Sequence, residues 1–124
     1  EFFPEGLLCG LLRLKDKPVY ITENGVACHD DRWRIVKLAQ DLAALSDAVK
    51  QGVDVRGYLH WSTMDNYEWY TFKPRFGLVS VDFKTFERTP KPSASFYREI
   101  IERNGFDGSL VRKYLPDVPP FRLY

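Results

Sequence analysis

The arrangement that most constrains this chain is a strand, a long helix and a second strand between Val19 and Ser62. Val19-Tyr20-Ile21-Thr22 is a β-branched and aromatic run and reads as a buried strand, ended by the polar turn signal Glu23-Asn24-Gly25. From Arg32 to Gln51, apolar residues at Trp33, Val36, Leu38, Ala39, Leu42, Leu45 and Val49 make one helical stripe. Asp30 or Asp31 can cap its start, and Gly52 stands where a helix C-terminus wants it. Val53 to Ser62 is the second strand. Such a unit predicts parallel strands and a right-handed crossover. Two parallel strands cannot close a barrel, and both edges of so small a sheet expose unpaired backbone groups. The physics therefore asks for further strands, from sequence outside this chain or from another chain.

The flanks are read in the same way. Leu7, Leu8, Leu11 and Leu12 recur at helical spacing after Pro4, so a helix is expected from Pro4 through Leu14. Phe76 to Phe83 reads as extended, Lys84-Thr85 as a turn, and Ala94 to Arg103 as a last helix ended by Asn104-Gly105. Residues 106–124 show no clear period and are expected to form an extended tail lying over another surface.

Composition narrows the function. The 18 basic and 17 acidic residues leave a net charge of +1, which gives no reason to expect nucleic acid or an anionic membrane as partner. No apolar run approaches the roughly 20 residues of a membrane span. The chain has 124 residues, begins without Met and shows no signal peptide, so it reads as a piece whose upstream part is missing. Cys9 and Cys28 are expected to be ordinary reduced residues; their spacing makes neither a disulfide framework nor a metal site. No cofactor is expected, and a cytoplasmic location fits.

Chemistry gathers at the strand ends. Glu23 follows the first strand directly, where parallel α/β barrels place catalytic groups. Position alone leaves a solvated turn glutamate as the commoner reading. The second strand ends in His60-Trp61-Ser62 and runs into Asp65-Asn66-Tyr67-Glu68-Trp69. Parallel neighbours would open Glu23 and this loop on one face, bringing carboxylate, amide and indole groups together. Sugar sites need that mixture, because aromatic faces pack on sugar C–H faces while carboxylates accept hydrogen bonds from hydroxyls.

Ile21-Thr22-Glu23-Asn24-Gly25 resembles the nucleophile motif of glycoside hydrolase family 1. Gly57-Tyr58-Leu59-His60-Trp61-Ser62 with Asp65-Asn66-Tyr67-Glu68-Trp69 is similar to that family's last barrel strand and sugar-binding loop. Arg75-Phe76-Gly77-Leu78-Val79, Val81-Asp82-Phe83, Arg88-Thr89-Pro90-Lys91 and Ser93-Ala94 continue the pattern in order, as does Pro4-Glu5-Gly6-Leu7 at the start. Gly-Tyr-Leu-His-Trp resembles the archaeal-type branch.

The resemblance implies an α/β fold: the C-terminal portion of a (β/α)8 barrel, comprising the last two βα units plus a flanking helix. Residues 1–124 would then be the C-terminal part of a single glycosidase barrel domain. It implies a retaining β-glycosidase acting on β-glucosides or β-galactosides. Glu23 would be the nucleophile, Glu68 an acceptor for glycone hydroxyls, Trp69 an indole donor, Trp61 the platform under the ring and Phe76 the lining of the deep end. Asn24, Asp65 and Asn66 would hold the loops. The Glu68-Trp69 pair favours a neutral glycone over a 6-phosphorylated one and leaves Lys73 as a surface lysine. The family's acid/base glutamate lies in an Asn-Glu-Pro motif, which is absent here, so the fragment alone is expected to be inactive. Tyr70-Thr71-Phe72-Lys73-Pro74 is shorter than the family's loop by one residue and lacks its glycine. The expected partners are a β-glycoside and the missing N-terminal barrel strands or another chain. A non-catalytic sugar-binding fragment and a self-associating homo-oligomer are the alternatives.

Overall fold

The computed structural model describes residues 2–119 and 121. Glu1 and, within the expected tail, Pro120 and residues 122–124 lie outside the described residues.

The βαβ unit forms as read. Strand β1 (Val19–Asn24) and strand β2 (Val55–His60) pair in parallel, joined by helix α2 (Asp31–Lys50). Asp30 caps α2 by accepting a hydrogen bond from the Arg32 backbone N–H at 3.0 Å. Gly52 takes a left-handed φ of 94° just past the helix end, which only a residue without a Cβ adopts freely. β1 extends through Glu23 and Asn24, residues expected to turn, because the Asn24 carbonyl still accepts from the Trp61 N–H at 3.0 Å.

The ladder between the strands is irregular in two places. Val19 faces Val55 but Tyr20 faces Gly57, so β2 carries an extra residue there. Ile21 faces Tyr58 but Asn24 faces His60, so β1 carries the extra residue across Thr22–Glu23. The second irregularity is a bulge, a device that re-aims a side chain.

Helix α1 (Pro4–Leu12) closes one side of the unit. Its Leu11 packs with Ala48 of α2 and Val53, and Leu7, Leu8, Leu12, Val19, Ile21 and Val55 pack around them. On the other side, helix α3 (Pro92–Arg103) buries Phe96 and Ile100 against Ile35, Leu38 and Ala39 of α2. Asn104 ends α3 in the left-handed conformation, at φ 50°.

The sequence reading of residues 106–124 as an extended tail needs correction. Helix α4 (Gly108–Tyr114) forms inside that segment. Asp107 caps it, accepting from Ser109 N at 2.8 Å and Leu110 N at 3.1 Å, and Leu110, Val111 and Leu115 are buried in the α2–α3 core. The apolar face of α4 packs into this chain's own core and not over another surface.

Phe76 to Phe83 is extended over part of its length. Ser62 N donates to Phe76 O, Leu78 N to Ser62 O, and Val79 N to Thr63 O, so this stretch runs parallel beside residues 62–64, the segment that follows β2. Strand β3 (Val79–Val81) then pairs antiparallel with strand β4 (Arg88–Pro90).

Candidate active site

The site is built where β1 and β2 end together. Glu23 stands in the bulge of β1 and is exposed. One residue on, Asn24 is held on both sides: its carbonyl by the Trp61 N–H, and its side-chain amide by Asp41 of α2 at 3.0 Å. Gly25 lies so close to β2 that a Cβ there would sit 1.7 Å from the Trp61 carbonyl oxygen. Any larger residue would push the two strand ends apart.

Trp61 and Glu68 are brought together. The Trp61 indole Nε1–H donates to Glu68 Oε1 at 3.0 Å. Glu68 is 8% exposed, and its Oε2 is the carboxylate oxygen not taken by this bond. A carboxylate that keeps one oxygen free of this bond can accept a hydrogen bond from a hydroxyl. The Trp61–Ser62 peptide bond is cis.

Trp69 stands apart from this pair in its surroundings. Glu68 N donates to Thr71 O at 2.8 Å and Thr71 N to Glu68 O at 3.1 Å, closing a two-residue turn with Trp69 and Tyr70 at its tip. Both have positive φ, 41° and 73°, and they are 87% and 88% exposed. Turns of this shape favour asparagine and glycine. Two aromatics there reflect the short loop, which leaves no further residue to take the left-handed positions. Phe76 is half-buried, and its carbonyl accepts from Ser62 N and lies 3.3 Å from His60 Nε2.

A buried polar layer supports the loop. Asp65 Oδ1 accepts from Gly77 N at 2.9 Å and from the Lys91 ammonium at 3.1 Å, while Arg75 reaches its Oδ2 at 3.4 Å. Asn66 Nδ2 donates to Ser62 Oγ at 3.1 Å. These are the loop-holding contacts the sequence reading gave to Asn24, Asp65 and Asn66. A Cβ on Gly77 would come 2.2 Å from Asp65 N, so glycine is required where the two segments touch.

Sequence reasoning missed three supports. Arg34 is fully buried in α2; it pairs with Asp31 and donates to the carbonyls of Cys28 and Arg75, tying the Cys28 segment to the loop. Asp31 in turn accepts from Ser93 N and Oγ, both at 2.8 Å, which fixes α3 to α2. The third is the Lys37–Asp41 pair behind Asn24. The available signal was a charged residue inside the apolar stripe of α2, which an i,i+4 pattern disguises as a solvated pair.

Burial drives the His60 imidazole pKa down to about 4, with Arg34 and Lys37 adding to the shift and the Phe76 carbonyl opposing it. His60 is therefore neutral at pH 7. Cys9 and Cys28 are both free, and burial raises the Cys28 thiol above its ordinary value. Among the described residues, no three His, Cys, Asp or Glu side chains are grouped to hold a metal. Nor is any described helix long and apolar enough to cross a membrane.

Known proteins resemble this chain over most of its length. A β-galactosidase of Sulfolobus acidocaldarius is 45% identical over 126 residues, covering 98% of this chain and 25% of that protein. The crystal structure of a hyperthermophilic β-glucosidase from Pyrococcus furiosus superposes with a TM-score of 0.85 at 46% identity, over 95% of this chain and 26% of the other. A family 1 β-glucosidase from Thermotoga maritima, solved in complex with isofagomine lactam, superposes with a TM-score of 0.83 at 36% identity, over 86% of this chain and 28% of the other. The chain thus spans about a quarter of the length of these relatives and aligns with that share of a barrel fold. Residues 2–106 match glycosyl hydrolase family 1, and with that coverage the chain belongs to this family.

Proposed function

We propose that this chain carries the nucleophile half of a retaining β-glycosidase site and is the C-terminal portion of a (β/α)8 barrel. The observation that carries the reading is the shared strand end. Glu23, near the end of β1, and the Trp61–Glu68 pair, in the segment that follows β2, lie at the same end of a parallel strand pair, with Asn24 O bonded to Trp61 N at 3.0 Å between them.

In the proposed reaction a Glu23 carboxylate oxygen attacks the anomeric carbon of a β-glucoside or β-galactoside. The bond from that carbon to the aglycone oxygen breaks, and its electron pair leaves with that oxygen. The leaving oxygen takes a proton from a general acid on strands outside this chain. Water then cleaves the glycosyl-enzyme ester, and the configuration is retained. Trp61 forms the platform beneath the ring, and Glu68 accepts hydrogen bonds from glycone hydroxyls. Trp69 donates its indole N–H to a neighbouring hydroxyl once the turn tip is covered, and Phe76 lines the deep end. Trp69 is where the glycone pocket depends most on the absent strands, because its exposure leaves it unsupported by this chain. Substrate and the completing barrel strands are the partners this reading requires. The isolated chain is inactive, since a retaining site needs two carboxylates about 5–5.5 Å apart.

The test is Glu23→Gln in the complete protein. Turnover of an aryl β-glucoside is expected to fall by about 10³-fold or more while the protein stays folded, because removal of a nucleophile disables the whole unit. Unchanged turnover would remove Glu23 from the role.

A further inference from the structure

We infer that Lys37 and Asp41 of α2 are positioning residues that aim the nucleophile by clamping Asn24, an inference that rests on the nucleophile reading of Glu23. Glu23 sits inside the bulge, where three residues of β1 advance against two of β2. The sheet ladder alone therefore leaves its direction open, and the next fixed point sets it. That point is Asn24. Its backbone carbonyl is tied to Trp61 N, and its side-chain amide donates to Asp41 Oδ2 at 3.0 Å. The Lys37 ammonium lies 3.5 Å from Asn24 Oδ1 and forms an ion pair with the same Asp41 oxygen. Both polar ends of the amide are thus engaged by a charge pair on the helix behind the strand.

The burial of the pair argues for a specific use. The Asp41 side chain is 1% exposed, and its Oδ1 has no hydrogen-bond partner. A buried carboxylate gains little net stability from one ammonium partner, so such a pair is weak as a stabilising device. It is strong as a registry device, since only one geometry of Asn24 satisfies both charges. Tyr58 of β2, partly buried, packs edge-on against Tyr97, whose hydroxyl donates to the Tyr58 carbonyl, so β2 is tied to α3. The clamp itself joins α2 to β1, and the Asn24 carbonyl carries it on to Trp61 just past β2. A displacement of the reacting carboxylate by about 1 Å costs on the order of 10²-fold in rate.

The experiment uses the complete protein and 2,4-dinitrophenyl 2-deoxy-2-fluoro-β-glucoside, whose leaving group departs without acid assistance. It reads the inactivation rate constant separately from the reagent's apparent dissociation constant. The double variant Lys37→Met with Asp41→Leu removes both charges and keeps an apolar filling. It is expected to lose about 10- to 100-fold in rate constant, with the dissociation constant within about threefold of the parent. Lys37→Arg preserves the charge pair and is expected to stay within about threefold on both. If the double variant does not fold, Asn24→Ser gives the same reading, since it removes the clamped arm and leaves the ion pair intact. A folded double variant or Asn24→Ser protein that labels at the parental rate overturns the inference, as does a loss in Lys37→Arg equal to that of the double variant. Glu23→Gln separates this from the underlying reading: labelling that persists in Glu23→Gln rejects the nucleophile itself, whatever Lys37 and Asp41 do.

Discussion

The two faces of the β1–β2 sheet differ sharply. Behind it, α2, α3 and α4 enclose Ile35, Leu38, Ala39, Phe96 and Leu110 at 0–1% exposure. On the strands themselves, Tyr20 and Leu59 stand exposed, and at the strand ends Trp61, Trp69 and Tyr70 are open as well. Tyr20 lies across Gly57, where a Cβ would meet its ring at 2.7 Å, so this face is shaped but uncovered. The difference teaches that the chain holds a finished outer layer and an unfinished inner one. A barrel fills its inner side with packed side chains and carries its chemistry at the C-terminal ends of its strands. Under the proposed function, the chain would bring to catalysis a set of groups backed by this packed helical layer.

The comparison can be broken most directly from the packed side. Phe96→Ala is expected to cost about 3–5 kcal/mol in urea unfolding, the usual effect of emptying a fully buried aromatic site. A cost near that of a surface change would show that the helical layer is not the folding core.

His60 sharpens the picture with pH. Its pKa is about 4 in the folded chain against 6.5 unfolded, so the unfolded state takes up the proton first as pH falls. The stability present above pH 6.5 is lost progressively down to about pH 4, by about 3 kcal/mol for this one group. Parallel melts of the parent and His60→Asn should diverge through that window, the parent falling more steeply. Identical slopes would mean that His60 is not held neutral.

Smaller effects belong to the open side. Tyr70→Gly relieves a left-handed φ of 73° and is expected to raise stability by about 0.5–1 kcal/mol while leaving the Glu68–Thr71 turn intact. A loss of stability would mean that the tyrosine ring is held by a contact worth more than the strain. Leu59→Ala should change the unfolding free energy of the isolated chain by less than about 0.5 kcal/mol, yet cost about 2–5 kcal/mol once the remaining strands cover it. Equal costs in both settings would deny that this face is an internal one.

The legible parts of the sequence were those with a long period or a composed motif. α2 declared itself through a stripe running along 20 residues, and β1 and β2 through β-branched runs on either side of it. β4 left no trace, because Arg88-Thr89-Pro90 is short and exposed throughout and exists only through its pairing with β3. α4 was missed because seven residues give too little period, although Asp107-Gly108-Ser109 offered a cap signal. At the site, the motif and the parallel strands put Glu23 and the Trp61–Trp69 loop at one end of the sheet, but the Trp61 indole bond to Glu68 was not foreseen. Nor was the turn that lifts Trp69 outward, since one missing loop residue alters backbone signs that side-chain identity hides. Arg34 and the Lys37–Asp41 pair were hidden because local spacing cannot tell a solvated helix charge from one facing a strand.

The most direct test of the account is where a mechanism-based label lands. The complete protein is treated with 2,4-dinitrophenyl 2-deoxy-2-fluoro-β-glucoside, digested and mapped by mass spectrometry. One added fluoroglycosyl group on the peptide containing Glu23, with none in Glu23→Gln, is the predicted result. A label on a different carboxylate, or none in a preparation that turns over aryl β-glucosides, would contradict it.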